Sequence, residues 1–282
     1  MSQQVFEGRT VVIATMHQKE QVIAPVLEST FGLKAVLCDS LNTDTFGTFC
    51  GQQQRSASPL ATARAKCLAA LSLTGHDLAI ASEGSFGPHP SIFFASADEE
   101  LVVMIDQKNQ LEFVATELSL ITNFNAKSVS SIEELMDFAE ASGFPEHGLI
   151  LRKSADTYDE QLKGIVDEAV LKRHFMQLIN LYGQVYVETD MRAMYNPTRM
   201  SVIAQATEKL VTLLKTECPN CQTPGFAVKE ALPGLPCSLC GLPTRSILVH
   251  RYSCQKCNFV EDKKYPNQKE QEDPMYCDFC NP

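Results

Sequence analysis

The feature that most constrains this sequence is a set of eight cysteines towards its C-terminal end, arranged as four Cys-x-x-Cys pairs. A Cys-x-x-Cys turn directs two thiolates at one point, and a second turn completes the tetrahedral ligand set that zinc prefers. The sequence therefore predicts two structural zinc ions, each held by four cysteines. The ligands are Cys218, Cys221, Cys237, Cys240, Cys254, Cys257, Cys277 and Cys280.

Two pairings of these turns are open. Sequential pairing, first with second and third with fourth, gives two zinc ribbons, and we favour it because both gaps have the spacing of a structural zinc site. Interleaved pairing would give a cross-braced module. His250 could replace one thiolate, although eight cysteines make this unnecessary. Disulfides would instead need an oxidising compartment.

The composition narrows the environment and the partners of the chain. The polar N-terminus lacks the basic start and long apolar core of a signal peptide, so we expect a cytoplasmic protein. No stretch approaches the roughly 20 apolar residues of a membrane span. The 282 residues carry 24 Lys+Arg against 34 Asp+Glu, a net charge of -10. An acidic chain is a poor candidate for non-specific nucleic-acid binding, so we expect the zinc module to dock a protein rather than nucleic acid.

Alternating strand and helix patterns predict that residues 1–215 form an α/β domain, followed by the zinc module at 216–282. Strands buried on both faces appear as β-branched runs, and helices begin at Ser or Asn-Pro signals and end at glycines. The pattern indicates one sheet layered by helices, with a hairpin around residues 106–109. The predicted strands are 10–15, 33–38, 78–81, 92–95, 101–105, 111–115, 149–151 and 185–187, and the clearest helices are 58–73, 131–141, 167–181 and 197–215.

Candidate binding residues follow the first predicted strand and lie on the helix at 58–73. Thr15, His17 and Lys19 occupy a strand-to-helix turn, whose backbone N–H groups and positive charge suit a phosphate. Arg64 and Lys66 add two cations on the helix. Open α/β sheets bind ligands at such strand ends, although these helix cations could equally form a solvated face.

Glu83 is a candidate catalytic carboxylate. It comes directly after the apolar run 78–81 and before Gly84, in a turn rich in small residues. A buried carboxylate is costly to leave unpaired, so this one is expected either to bind a cation or to face water in a cleft.

A further set of charges surrounds the start of the last predicted helix. Glu188, Asp190 and Arg192 follow a strand, and Asn196 precedes a helix that carries Arg199 in its first turn. A cation there opposes the helix dipole, and a bound anion would remove the conflict. The alternative is that the arginines pair with Glu188 or Asp190.

These segments resemble the inosine/xanthosine triphosphatase (ITPase-like) superfamily, whose members remove non-standard nucleoside triphosphates. The superfamily's first strand ends in an A-[ST]-x-N-x-x-K-like loop, and residues 14–19 are Ala-Thr-Met-His-Gln-Lys. Thr62–Cys67 resembles the superfamily's N-A-x-x-K-A-like helix, and Ser82-Glu83-Gly84 resembles its acidic turn. His17 stands where the superfamily has Asn, and Glu20 where it has the lysine. The whole chain also looks like a bacterial family of unknown function that ends in a zinc module.

The resemblance implies an ITPase-like mixed sheet flanked by helices and a magnesium-dependent nucleotide pyrophosphohydrolase or related phosphohydrolase. Glu83 would bind Mg²⁺ or orient the attacking water, and Glu188 or Asp190 would complete the metal site. Lys19, Lys66 and Arg199 would neutralise the phosphates of a nucleoside triphosphate-like substrate.

A non-catalytic protein is the alternative. The same cleft would bind a nucleotide or another phosphorylated ligand without cleaving it, while the zinc module docks a protein partner. Self-association as a homodimer is left open.

Overall fold

A computed structural model describes residues 2–46, 57–92, 94–158 and 161–282. Two compact units make up the chain. The larger spans Glu7–Val211, and the smaller contains Thr212–Pro282 together with the first helix, α1 (Ser2–Phe6). Throughout the described ranges, every helix is too short or too polar to cross a bilayer.

The first sheet of the larger unit has five strands in the order β2-β1-β3-β4-β5. Strand β1 runs parallel to β2 and β3, while β3, β4 and β5 form an antiparallel meander. Helices α2 (Glu20–Phe31) and α3 (Pro59–Thr74) provide the crossovers that parallel strands require. The strands are β1 (Thr10–Ile13), β2 (Lys34–Leu37), β3 (Leu78–Pro88), β4 (Ser96–Asp106) and β5 (Leu111–Ser119).

Strand β3 is much longer than predicted. The prediction ended it at residue 81 and placed 82–88 in a turn, but β3 continues to Pro88 and pairs with β4 along its whole length. Serine and glycine are poor strand formers by propensity, so the local sequence hid a strand that cross-strand pairing stabilises. The predicted strand at 92–95 was also wrong for residues 92, 94 and 95, which precede the start of β4 at Ser96, and residue 93 lies outside the described residues.

A second, separate sheet corrects the prediction of one sheet. Its four antiparallel strands have the order β6-β9-β7-β8 and share an apolar core with α4 (Ile132–Ala141) and α5 (Glu168–Tyr182). Short apolar runs show that a strand is buried, but not which sheet it joins. The strands are β6 (Ala126–Val129), β7 (Leu149–Arg152), β8 (Leu162–Ile165) and β9 (Val185–Thr189).

The last helix, α6 (Pro197–Lys215), begins directly after Asn196, as predicted, and crosses the unit boundary at residue 211. The smaller unit then forms a three-stranded antiparallel sheet in the order β10-β11-β12. No residue within these three strands is fully buried, so bound metal ions would add stability that the small apolar core of this unit cannot supply. The strands are β10 (Ala227–Pro233), β11 (Ile247–Ser253) and β12 (Val260–Lys264).

Two four-cysteine clusters and a buried charge cluster

The eight cysteines form two clusters, and their pairing is interleaved. The ligand atoms within each cluster all lie within 4.8 Å of one another. The first Cys-x-x-Cys pair joins the third, and the second joins the fourth, so the predicted sequential pairing was wrong. The clusters are Cys218/Cys221/Cys254/Cys257 and Cys237/Cys240/Cys277/Cys280.

The antiparallel sheet explains the interleaving. The start of β10 lies opposite the end of β11, with Ala227 paired to Ser253, so the turns that precede β10 and follow β11 meet at one end. At the other end, Pro233 of β10 pairs with Ile247, and Lys264 of β12 pairs with Val249. Residue spacing alone could not show this, because both pairings satisfy it.

Distances between the cysteine sulfurs fit zinc. Cys218 and Cys257 are 3.7 Å apart and Cys221 and Cys254 are 3.6 Å apart, measured between Sγ atoms. The other cluster gives 3.9 Å and 3.7 Å for its two closest pairs. A tetrahedron with zinc–sulfur bonds of about 2.3 Å has edges of about 3.8 Å. Both clusters therefore have the ligand set and the dimensions of a structural zinc site.

Local backbone geometry supports each turn. The Cys237 sulfur accepts a hydrogen bond from the Leu239 N–H at 3.4 Å, as expected around a metal-binding thiolate. The Cys218 carbonyl accepts from the N–H of Gln222 at 2.8 Å, which closes the turn. In three of the four turns the residue after the second cysteine has a positive φ: Gln222, Gly241 and Asn258.

In the larger unit, Glu83 and Lys66 meet as an ion pair. Glu83 lies on β3 and is only 2% exposed. Its partner comes from α3, whose small residues Ala63 and Ala70 pack in the same core cluster as the strands. The Lys66 ammonium therefore contacts the Glu83 carboxylate directly. The sequence predicted that Glu83 either binds a cation or faces water, and Lys66 is the cation that it contacts.

Lys19 is buried where β3 extends beyond its neighbour β1. The Lys19 Nζ donates to the Ser82 carbonyl at 3.0 Å and to the Ser82 Oγ at 2.9 Å. Pairing of β1 with β3 ends at Ile80, so the ammonium binds a carbonyl that β1 does not reach. The pKa of Lys19 is lowered to about 7, first by burial and then by Arg199, while Glu100 and Glu83 oppose the change.

Arg199, in the first turn of α6, is fully buried. Its Nε donates to the Glu100 Oε1 at 2.5 Å, and its Nη1 donates to the Met191 carbonyl. The guanidinium carbon lies 5.1 Å from the centre of the Phe86 ring. A carboxylate of β4 therefore supplies the negative charge that the sequence analysis assigned to a bound anion, Glu188 or Asp190.

Gly84 makes this arrangement possible, because it lies directly opposite Glu100 in the β3–β4 register. A Cβ atom on residue 84 would lie 2.2 Å from the Glu100 Oε1 and 2.9 Å from the Arg199 Nη2. Any side chain at this position would displace the ion pair, so the close approach requires glycine.

Asp98 and Glu100 are the functional candidates that sequence reasoning missed. Both are fully buried on β4. Within the described ranges, neither Asp98 oxygen has a hydrogen-bond partner, and neither does the Glu100 Oε2. The pKa of Asp98 is raised to about 7, first by burial and then by Glu100, while Arg199 and Lys19 oppose the change. The sequence carries no period-two signal there, because residues 98–100 are all acidic and the apolar run begins only at Leu101.

The cations converge around His17, whose half-buried side chain follows β1. Its pKa is lowered to about 3, first by burial and then by Lys19, Arg199, Arg192 and Lys66 in that order. Four cations from different chain segments therefore disfavour a charged imidazole at His17. The nearby Thr15 Oγ1 accepts a hydrogen bond from the His17 N–H at 3.2 Å.

Other predicted residues are held by partners of their own. Arg64 is partly exposed and pairs with Glu112 at 2.6 Å, so the structure does not connect it to the cluster. Glu188 pairs with Arg152 at 2.8 Å. The predicted carboxylate–arginine alternative is realised by Asp190 and Arg192, whereas the partner of Glu188 is an arginine of β7.

Asp190 and Asn196 support the backbone next to α6. Asp190 is fully buried, pairs with Arg192 at 2.6 Å and accepts from the Gly164 N–H at 2.9 Å. The Asn196 Oδ1 accepts from the Arg199 N–H at 3.0 Å. Glu188, Asp190 and Arg192 line a small cavity of about 110 Å³. In the parts of the chain that are described, only the cysteine clusters bring three or more potential metal ligands together.

These features define an α/β protein with a buried charge cluster and a cross-braced module that can hold two zinc ions. The chain belongs to the family described as a domain of unknown function (DUF6671), which it matches over residues 66–282. The matched region begins at Lys66 and includes Glu83, Arg199 and all eight cysteines of the clusters. A search of curated proteins gave no match. The family description assigns no activity, so the resemblance to the ITPase-like superfamily stays a prediction.

Proposed function

We propose that the Glu7–Val211 unit binds the phosphates of a nucleoside triphosphate-like substrate at the cluster around His17 and hydrolyses it with Mg²⁺. It would act as a nucleotide pyrophosphohydrolase or a related phosphohydrolase. The observation that carries the proposal is the placement of Lys19, Lys66 and Arg199 along residues 82–84 of β3. Phosphoryl transfer is catalysed mainly by positioning and by neutralising charge on the phosphate oxygens, which such a cluster can do.

Lys19 and Lys66 are the proposed phosphate ligands. Burial makes the Lys19 ammonium costly, and a nearby phosphate would stabilise its charged form. Lys66 is already paired with Glu83, and a phosphate would compete for its ammonium. Glu83, released in part from that pair, would then orient the attacking water, the role that the resemblance implies for it.

The residues present also fit magnesium. Mg²⁺ binds oxygen ligands and commonly uses one or two carboxylates together with substrate phosphates. Buried carboxylate oxygens that lack a hydrogen-bond partner among the described residues lie on β4, at Asp98 and Glu100. When bound, the ion would neutralise the charge that develops on the phosphate oxygens.

Turnover of a nucleotide panel tests this function. Standard, inosine and xanthosine triphosphates would be incubated with Mg²⁺ and the full chain, and pyrophosphate and inorganic phosphate measured separately. Glu83→Gln should lower the rate by about 10²–10⁴-fold, the range typical of losing a group that directs proton transfer. The exposed Glu99→Gln should leave it unchanged. Absence of turnover on every nucleotide, or full activity of Glu83→Gln, would contradict the proposal.

A non-catalytic binding role is the second candidate, because protein cations already engage two of the carboxylates. Glu83 is paired with Lys66 and Glu100 with Arg199, so neither needs a substrate for its charge balance. Thermal stabilisation by a nucleotide that is recovered intact would favour this role. Stabilisation accompanied by product formation would favour the hydrolase.

Exposed apolar side chains around the second cysteine cluster support the proposal that the module docks a protein. Leu239 is 74% exposed and Phe279 is 72% exposed, and each directly neighbours a ligand cysteine. Exposed apolar groups that gather in one region often mark interaction surfaces. Sedimentation of wild type and Leu239→Ser/Phe279→Ser tests for a homodimer formed through this surface. Identical concentration dependence of the two proteins would exclude that homodimer.

A further inference from the structure

We propose that Asp98 and Glu100 bind one divalent cation, Mg²⁺ or Mn²⁺, on the face of β4 that carries the Arg199 contact. The role of the ion rests on the proposed function, because substrate phosphates would share it. The binding site itself stands on the geometry of these two carboxylates.

Strand geometry places the two carboxylates side by side. Residues two apart on a strand point to the same face, so Asp98 and Glu100 both project towards the side that Phe86 and Gly84 occupy on β3. Along the other edge of β4, which pairs with β5, Glu100 lies opposite Glu117. Glu117 is already bound to Lys209 at 2.8 Å, so its charge is balanced by that lysine.

The unpartnered oxygens point to a ligand. Both residues are fully buried, and three of their four carboxylate oxygens accept no hydrogen bond from any described residue. A buried charged group without a partner costs several kcal/mol, and native proteins seldom leave one unexplained. Of the two Glu100 oxygens, Oε1 accepts from Arg199, and the Lys19 ammonium donates to Ser82. A cation bound by the remaining oxygens would satisfy both carboxylates.

The ligand chemistry selects the type of cation. Carboxylate oxygens suit Mg²⁺ and Mn²⁺, whereas thiolates suit zinc, which the two cysteine clusters would bind first. Two protein carboxylates are a typical number for Mg²⁺, whose other positions are filled by water and phosphate oxygens. The two kinds of metal should therefore not compete for the same ligands.

Direct metal binding tests the site without relying on activity. The zinc-loaded full chain would be titrated with Mn²⁺, and free Mn²⁺ followed by electron paramagnetic resonance, with and without a non-hydrolysable nucleoside triphosphate analogue. Asp98→Asn and Glu100→Gln should each weaken binding at least about ten-fold, since even outer-shell changes at metal sites cost 10–100-fold. Glu99→Gln is the matched control, because Glu99 lies between them and is exposed. It should bind like wild type.

Asp98→Asn keeps the test informative if Glu100→Gln fails to fold. Loss of the Glu100 charge removes the partner of Arg199, whereas the Asp98 amide preserves shape and breaks no ion pair. Far-UV circular dichroism would confirm the fold. The sequence instead indicated Glu188 or Asp190 as a metal ligand. Glu188→Gln tests that alternative, and it should bind Mn²⁺ like wild type.

The outcomes separate this inference from the proposed function. Wild type that binds no Mn²⁺ in either condition, or Asp98→Asn that binds it normally, would overturn the metal site even if nucleotides are hydrolysed. Loss of binding in Glu188→Gln in place of Asp98→Asn would do the same. Selective loss in Asp98→Asn would support the site even if no nucleotide is turned over, and in that case only the hydrolase proposal fails.

Discussion

Replacing Lys19 with methionine should change how the stability of the protein depends on pH. Lys19 is 5% exposed, and burial lowers its pKa to about 7 in the folded chain. In the unfolded chain a lysine has a pKa of about 10.4. Between these values the unfolded chain holds a proton that the folded chain has released. The free energy of unfolding of wild type therefore rises with pH in this window and is unaffected by Lys19 below it.

The size of the effect follows from these two pKa values. Each pH unit inside the window contributes about 1.4 kcal/mol, so wild type should gain about 3 kcal/mol between about pH 7 and pH 9.5 relative to Lys19→Met. Other groups titrate in both proteins, so their contributions cancel when the unfolding free energy of Lys19→Met is subtracted from that of wild type. Lys19→Met also loses two hydrogen bonds to Ser82. That loss shifts its curve of unfolding free energy against pH by a constant amount and does not change the slope.

Urea unfolding followed by far-UV circular dichroism at both pH values measures this difference. Lys108→Met is the matched control, because Lys108 is exposed in the turn between β4 and β5. It should show the same pH slope as wild type. Equal slopes for wild type and Lys19→Met would refute the reasoning, since they would mean that Lys19 stays charged in the folded chain.

Three further predictions concern the cysteine pairing, the glycine and the ligand. The double variant Cys221→Ser/Cys254→Ser should retain one zinc ion per chain by elemental analysis, because both ligands belong to one cluster; sequential pairing would leave none. Gly84→Ala should lower the free energy of unfolding by about 1–3 kcal/mol in urea titrations, the usual cost of overpacking, and an unchanged midpoint would contradict the close contact with Glu100. The affinity for a nucleoside triphosphate analogue, measured by calorimetry, should fall as pH rises above about 7 in wild type, because Lys19 loses its charge; the same fall in Lys19→Met would assign it to another group.

Features fixed by local chemistry could be predicted from the sequence. Ser58 caps α3 and accepts from the Ala61 N–H at 3.3 Å, as the Ser-Pro signal indicated. Asp167 caps α5 in the same way, and Gly32 ends α2 with a φ of 63°. Each of these contacts joins residues close in sequence, so neighbouring letters contain the whole signal. The Cys-x-x-Cys turns and their role as metal ligands could be predicted for the same reason.

Features fixed by long-range pairing could not be predicted. The strand over Ser82–Pro88 exists because β4 pairs with it, despite residues that disfavour strands. Arg199 was singled out by its place in a first helical turn, but its partner Glu100 lies 99 residues away. The zinc ligands were recognised, yet their grouping depends on the order of β10, β11 and β12. In each case the sequence did not show which distant segment of the chain packs against the residue or strand in question.

The most direct test of the phosphate-binding cluster is a crystal structure with Mn²⁺ and a non-hydrolysable nucleoside triphosphate analogue. The account predicts phosphate groups in contact with Lys19 and Lys66, and an anomalous manganese signal beside Asp98 and Glu100. An analogue bound away from both lysines would contradict it.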